Sequence, residues 1–122
     1  MNTDFKSDFK SSFTFDQRLK EAIIIKEKFP DKIPIICQRS IYAGDDCPIL
    51  NKRKYLVPSC TTIAHFIFMI RKLLNLKSEK SLFLFVEGNA LPCSYTIEKV
   101  YDIYKDNDYF LYVTYTFENT FG

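Results

Sequence analysis

The side chains able to support chemistry in this sequence are few and scattered. Its one histidine, His65, and its four cysteines, Cys37, Cys47, Cys60 and Cys93, are the strongest candidates for metal ligands or nucleophiles. No two cysteines form a Cys-x-x-Cys pair, and a single His cannot complete a standard zinc cluster with them, so they read as reduced thiols. Asp45-Asp46 and the pair Asp106 and Asp108 fall in loop-like stretches with no nucleophile or metal partner nearby, which makes them solvated carboxylates. No nucleophile, base and oxyanion donor come together. Enzymatic activity is not expected, and neither is a metal site.

What remains is binding chemistry. Lys52-Arg53-Lys54 runs directly into the apolar Tyr55-Leu56-Val57-Pro58. If that run is the edge strand of a sheet, its unpaired backbone groups can accept an extended peptide, whose alternate side chains would enter flanking pockets. The three cations then either greet an acidic partner or protect the edge from aggregation. The net charge is only +2, against a general nucleic-acid binder, but it is unevenly placed. Residues 1–32 carry seven Lys/Arg and six Asp/Glu, residues 33–80 eight and three, and residues 81–122 two and six. A basic middle therefore stands beside an acidic end.

The elements that must position this strand can be read from periodicity. A chain of 122 residues with 47% hydrophobic and 26% charged content fits one soluble domain with a core of its own. The longest nearly apolar run, Ile63 to Ile70, is too short to span a bilayer, and the opening MNTDFKSDFK lacks the pattern of a secretory signal, so a cytosolic or nuclear location is expected. Phe5 and Phe9, four apart, give a weak amphipathic helix. Thr14 and Gln17 form a capping box, so a helix should begin there, with Phe15, Leu19, Ala22, Ile23 and, at its far end, Phe29 as candidates for its apolar stripe and Pro30 as its stop. Ile33 to Cys37 and Lys54 to Val57 read as a hairpin with a long loop. Ile63, Phe66, Ile67, Ile70, Leu73 and Leu74 mark the strongest helix. Leu82 to Val86 reads as a central strand, Ile97 to Tyr104 as a short helix and Phe110 to Tyr115 as a last strand. The order β-β-α-β-α-β predicts an α+β fold, a four-stranded mixed sheet with helices on one side, preceded by two additional N-terminal helices. The expected division is 1–32 helical extension, 33–117 sheet domain and 118–122 flexible tail.

Four ordered strings carry a resemblance: Phe29-Pro-Asp-Lys-Ile-Pro-Ile-Ile-Cys37, Asn51-Lys-Arg-Lys-Tyr-Leu-Val-Pro58, Leu82-Phe-Leu-Phe-Val86, and Phe110-Leu-Tyr-Val-Thr-Tyr115 with Glu118-Asn-Thr-Phe-Gly122. Together they resemble the autophagy-related ubiquitin-like modifiers, the GABARAP and light-chain-three family, from about Phe15 onward. The resemblance implies a ubiquitin-like β-grasp and a tag without catalytic residues of its own. Such a tag is cytoplasmic, and is joined through the Gly122 carboxylate to the amine of phosphatidylethanolamine on autophagosome membranes. A Gly terminus suits this, because without Cβ it threads through narrow enzyme channels. Thr120 and Phe121 would be read by the activating, conjugating and deconjugating enzymes. No cofactor is implied beyond the attached lipid.

The resemblance also implies a groove for peptides bearing an aromatic residue, two arbitrary ones, then an aliphatic one, as carried by cargo receptors and autophagy factors. Its aromatic pocket maps to Glu21, Ile25, Lys32, Pro34, Ile36, Lys54, Leu56 and Phe110, and its aliphatic pocket to Tyr55, Val57, Pro58, Thr61, Phe66 and Met69. Lys52, Arg53 and Lys54 would meet acidic flanks. Four positions depart from the family pattern. Lys32 replaces a frequent Arg, Thr61 a larger apolar residue and Leu73 a basic one. Tyr109 stands where a Gly is usual, which puts that turn in question. The competing expectation is an unconjugated ubiquitin-like peptide-binding adaptor.

Overall fold

The computed structural model describes residues 6–76 and 80–117. Three helices start at a threonine, each for the same physical reason. Thr14, Thr62 and Thr96 hold extended backbone, and their hydroxyls accept the N–H of Gln17, His65 and Lys99, each at 3.1 Å. Each cap satisfies a donor that the first turn leaves open, worth about 1 kcal/mol. The helices that follow are α2 (Phe15–Lys28), α3 (Ile63–Leu74) and α4 (Ile97–Tyr104); α1 (Lys6–Ser12) precedes them. The Gln17 side chain accepts the Thr14 N–H in return, completing the expected capping box. Two residues before Pro30, α2 ends.

The strands are β1 (Lys32–Arg39), β2 (Lys54–Pro58), β3 (Phe83–Val86), β4 (Asn89–Ala90) and β5 (Leu111–Thr116), in the spatial order β2-β1-β5-β3-β4. β1 and β5 pair in parallel at the centre, while β1–β2, β3–β5 and β3–β4 are antiparallel. Among the described residues the sheet thus has five strands, not four. The addition is the two-residue β4, which turns back from β3 through Glu87 and Gly88, at φ 51° and 79°. Two successive residues with positive φ make the tight hairpin whose twist suits the strands. β3 is not central either: it lies one place from the edge, and Phe83 keeps 37% of its surface exposed.

Helices cover both faces, where sequence periodicity pointed to one. On one face α3 and α4 bury Ile63, Phe66, Ile70, Ile97 and Val100 against Ile33, Ile35, Leu84, Leu111, Val113 and Tyr115. On the other, Phe9 of α1 and Ala22 of α2 pack on Ile36, Phe110 and Tyr112. The buried stripe of α2 also differs from the expected one. Arg18 and Ala22 are its buried residues, whereas Phe15 and Ile23 are about 40% exposed. A polar anchor explains the rotation.

That anchor corrects the reading of Asp108 as a solvated loop carboxylate. Asp108 is fully buried. Its Oδ2 accepts from Arg18 Nη1 and from the Tyr112 hydroxyl, both at 2.5 Å, and its Oδ1 accepts the Phe110 N–H at 2.9 Å. Arg18 also donates through Nε to the Phe13 carbonyl. Asp106 is likewise engaged, accepting from Lys10 Nζ at 2.8 Å. A buried carboxylate persists only when paired and fully hydrogen-bonded, and this one has three donors.

The long loop between β1 and β2 is stapled to the core. The Tyr115 hydroxyl donates to the Pro48 carbonyl at 2.7 Å and accepts the Leu50 N–H at 3.0 Å, while Arg39 Nη1 donates to the Cys47 carbonyl at 2.8 Å. All four cysteines are free thiols. Cys37 and Cys47 are buried, and burial pushes both thiols up, away from reactivity.

Candidate functional site

β2 forms one edge of the sheet, and its ladder determines which backbone groups face outward. The Cys37 N–H donates to the Arg53 carbonyl at 2.8 Å, and the antiparallel register continues as Ile35↔Tyr55 and Ile33↔Val57. Bonded and non-bonded pairs alternate in such a ladder, so Tyr55 and Val57 direct their amides to β1, while Lys54 and Leu56 direct theirs away from the sheet. No described strand pairs with that side. It is a ready acceptor for an extended chain.

Side chains alternate in the same way, but between the two faces of the sheet. Lys54 and Leu56 stand opposite Ile36 and Pro34, on the face covered by α2. Here Lys54 Nζ is paired with the Glu21 carboxylate, spanning from β2 to α2. Leu56 is 37% exposed beside them. Below lie Ile36 and Phe110, both fully buried, with Ile25 half-buried against them and Pro34 also buried. Lys32 is half-buried, with Nζ 5.7 Å from the Phe29 ring. The eight residues mapped to the aromatic pocket thus gather on one face. Glu21, Ile25, Lys32, Lys54 and Leu56 offer surface; Pro34, Ile36 and Phe110 are its floor.

Tyr55 and Val57 point to the α3 face. Tyr55 is half-buried, with its hydroxyl donating to the Lys52 carbonyl at 2.8 Å, and burial raises its phenol to about 12. Met69 is half-buried on the same core, whereas Val57 and Phe66 are buried within it. Pro58 falls by register on the α2 face. The turn after it, with Thr61 N–H donating to the Pro58 carbonyl at 3.0 Å, carries Thr61 over toward α3. Of the aliphatic set, Tyr55, Pro58, Thr61 and Met69 therefore present surface.

The basic run is less uniform than its sequence. Lys52 is exposed, but Arg53 is half-buried with its guanidinium carbon 5.3 Å from the Phe9 ring, and Lys54 is tied to Glu21. Sequence reasoning missed two contributors. Phe9 of α1 meets Phe110 edge-on, with ring centroids 5.2 Å apart, and lies on the pocket's own face of the sheet, with Lys54 Nζ 5.8 Å from its ring. Arg18, Asp108 and Tyr112 fix α2 and the start of β5, which supply Glu21, Ile25 and Phe110. Only the helical spacing of Phe5 and Phe9 pointed to the first. Thr120, Phe121 and Gly122 lie outside the described residues, as does Phe5.

A mixed sheet with parallel central strands, covered on one face by α3 and α4, defines the ubiquitin-like class, to which α1 and α2 on the other face are an addition. The sequence model described as Autophagy protein Atg8 ubiquitin like matches residues 17–122. The chain is 46% identical over 117 residues to autophagy-related protein 8 of Vanderwaltozyma polyspora, covering 96% of this chain and 98% of that one. It is 41% identical over the same length to the protein of that name from Schizosaccharomyces pombe, covering 96% and 95%. The crystal structure of Trypanosoma brucei ATG8 superimposes with a TM-score of 0.85 at 39% identity, over 93% of this chain and 97% of that one. The chain belongs to the Atg8 family, and is a ubiquitin-like modifier of autophagy.

Proposed function

We propose that the chain is conjugated through the Gly122 carboxylate to phosphatidylethanolamine on autophagosome membranes, moving there from the cytoplasm, and that its β2 edge recruits cargo receptors and autophagy factors. The observation that carries the recruitment reading is the division of the edge's side chains between two sheet faces. Residues three apart in an extended strand point to opposite faces. A peptide with an aromatic residue, two intervening residues and an aliphatic one can thus place its first anchor beside Leu56 and Lys54 and its second beside Tyr55 and Met69. Burying the two anchors stabilises the complex by about 1.5–3 kcal/mol each before ordering costs, so backbone hydrogen bonds along β2 and charge contacts must supply the rest of the roughly 8 kcal/mol of a micromolar complex. Lys52 would meet the acidic flank and favour encounter.

Family membership supports the lipid link. Among the described residues no helix is long and apolar enough to cross a membrane. Attachment of a two-chain lipid would therefore act as the anchor, at about 0.8 kcal/mol per buried CH₂. The chain needs no catalytic centre for this role, which the activating and conjugating enzymes supply.

Incubation with the family's activating and conjugating enzymes, ATP and phosphatidylethanolamine vesicles tests the proposal. A lipid adduct seen by intact mass, and lost in Gly122→Ala, is the expected result. Peptide binding without any adduct would leave the unconjugated adaptor.

A further inference from the structure

A second recess lies on the far side of α2 from the β2 edge. Ile23, Lys26 and Glu27 form one wall, and Tyr101, Lys105 and Tyr109 the other, around an open depression of about 410 Å³. It is separate from the peptide groove, because Glu21 and Ile25 share one stripe of α2 while Ile23, Lys26 and Glu27 occupy the next. The Tyr101 hydroxyl donates to the Tyr109 carbonyl at 2.7 Å, and the Lys105 N–H donates to the Tyr101 carbonyl at 2.8 Å, so the second wall is braced within itself.

Two features give this recess its chemistry. Lys26 and Lys105 come from different elements, yet their ammonium groups lie 5.3 and 5.7 Å from the centroid of the same Tyr101 ring. Two cations gathered at one ring, with Glu27 the one carboxylate among the described lining residues, favour an anionic group beside an aromatic surface. The second feature is Tyr109. Its φ of 70° lies in the left-handed region, where glycine fits without strain, but the position holds an aromatic side chain that walls the recess.

We propose that this recess is a second docking site, for an acidic peptide that inserts one aromatic side chain between Ile23 and Tyr109 and sets a neighbouring carboxylate against Lys26 and Lys105. The depression is too open to enclose a small molecule on most sides, as small-molecule sites do. Its volume suits one large side chain whose backbone remains outside. A modifier with two such sites engages a tandem acidic segment at both, or two partners at once.

The test uses the full isotope-labelled chain carrying Leu56→Ala, which weakens the edge groove. The probe is a synthetic nonapeptide with one central Phe, Asp or Glu elsewhere, and no aliphatic residue. Saturable shifts of the Ile23, Lys26, Tyr101, Lys105 and Tyr109 amides are expected. Lys26→Ser with Lys105→Ser should weaken them about tenfold, as should replacement of the acids by Asn and Gln. Tyr109→Gly, which the backbone accepts readily, should weaken them without unfolding. Shifts confined to β2, shifts indifferent to the lysines, or shifts produced by phosphatidylserine vesicles but not by the peptide would each overturn the assignment.

Discussion

Arg18 and Asp108, ninety positions apart, form a buried ion pair with Arg18 Nη1 2.5 Å from Asp108 Oδ2, and it clamps α2 to the start of β5. Burial works to lower the Arg18 guanidinium, but its bonds to Asp108 and Tyr112 more than offset this, leaving it above its ordinary value. Because Phe110 donates its N–H to the same carboxylate, the pair also orients the floor of the aromatic pocket.

Breaking that clamp should be costly. Asp108→Asn leaves a nearly buried guanidinium without its counter-charge, and losses of this kind run to about 3–5 kcal/mol. Adding Arg18→Met should recover part of the loss, because the stranded charge is then gone. Urea unfolding of the two single variants and the double variant measures it. Purely additive effects would mean that the two side chains act independently.

The groove predicts a division of labour. Leu56→Ala removes half-exposed apolar surface without touching the core and should weaken an aromatic-x-x-Leu peptide about tenfold. Tyr55→Ala should weaken the peptide and also destabilise the fold, since Tyr55 packs on the main core. Calorimetric titration beside a thermal melt separates the two effects. An unchanged titration for Leu56→Ala would remove this face of β2 from the binding site.

Tyr109→Gly should stabilise the protein. The left-handed conformation costs an L side chain about 1–2 kcal/mol, and glycine's greater freedom in the unfolded chain returns about 0.5–1 kcal/mol of that. A net gain of roughly 0.5–1 kcal/mol should appear as a raised urea midpoint. A lowered midpoint would show that the ring's contacts outweigh the strain.

Alkali should unfold the protein in a defined window. Burial pushes the Tyr101 and Tyr115 phenols up to about 12, against an ordinary value near 10. The unfolded chain releases these protons first, so the stability they contribute is complete below pH 10 and lost as pH rises from about 10 through about 12, at up to about 1.4 kcal/mol per group per pH unit. Urea midpoints taken alongside tyrosinate absorbance check this. A midpoint flat across that range would contradict the burial of these hydroxyls.

Local signals carried much of the fold. The Thr14–Gln17 box, the apolar spacing of Ile63, Phe66 and Ile70, and the run Lys54 to Val57 each depend on residues within a few positions, and each became the expected element. The long-range terms were not legible. Nothing near Asp108 reveals a partner ninety residues earlier, so it looked solvated, and the polar anchor Arg18 displaced Phe15 and Ile23 from the buried face of α2. The coverage of both sheet faces is equally non-local, because it depends on where α1 and α2 return. For the candidate site, the structure places the aromatic set on the α2 face and Tyr55, Val57, Phe66 and Met69 on the α3 face, but Pro58, assigned to the second set, falls with the first, and the role of Phe9 was not legible because its contact with Phe110 crosses almost the whole chain.

The most interior strand, β5, is also the last of the described strands to be synthesised. Before residue 111 leaves the ribosome, β1–β2 and β3–β4 can exist only as two separate hairpins, with apolar seams that have nothing to close against. The pairing of Ile35 with Leu111 closes a very long loop, which makes for slow, late folding. A nascent chain stalled upstream of that strand would hold sticky, unjoined halves. Holdase chaperones and proteases would thus meet this protein before any of its partners do.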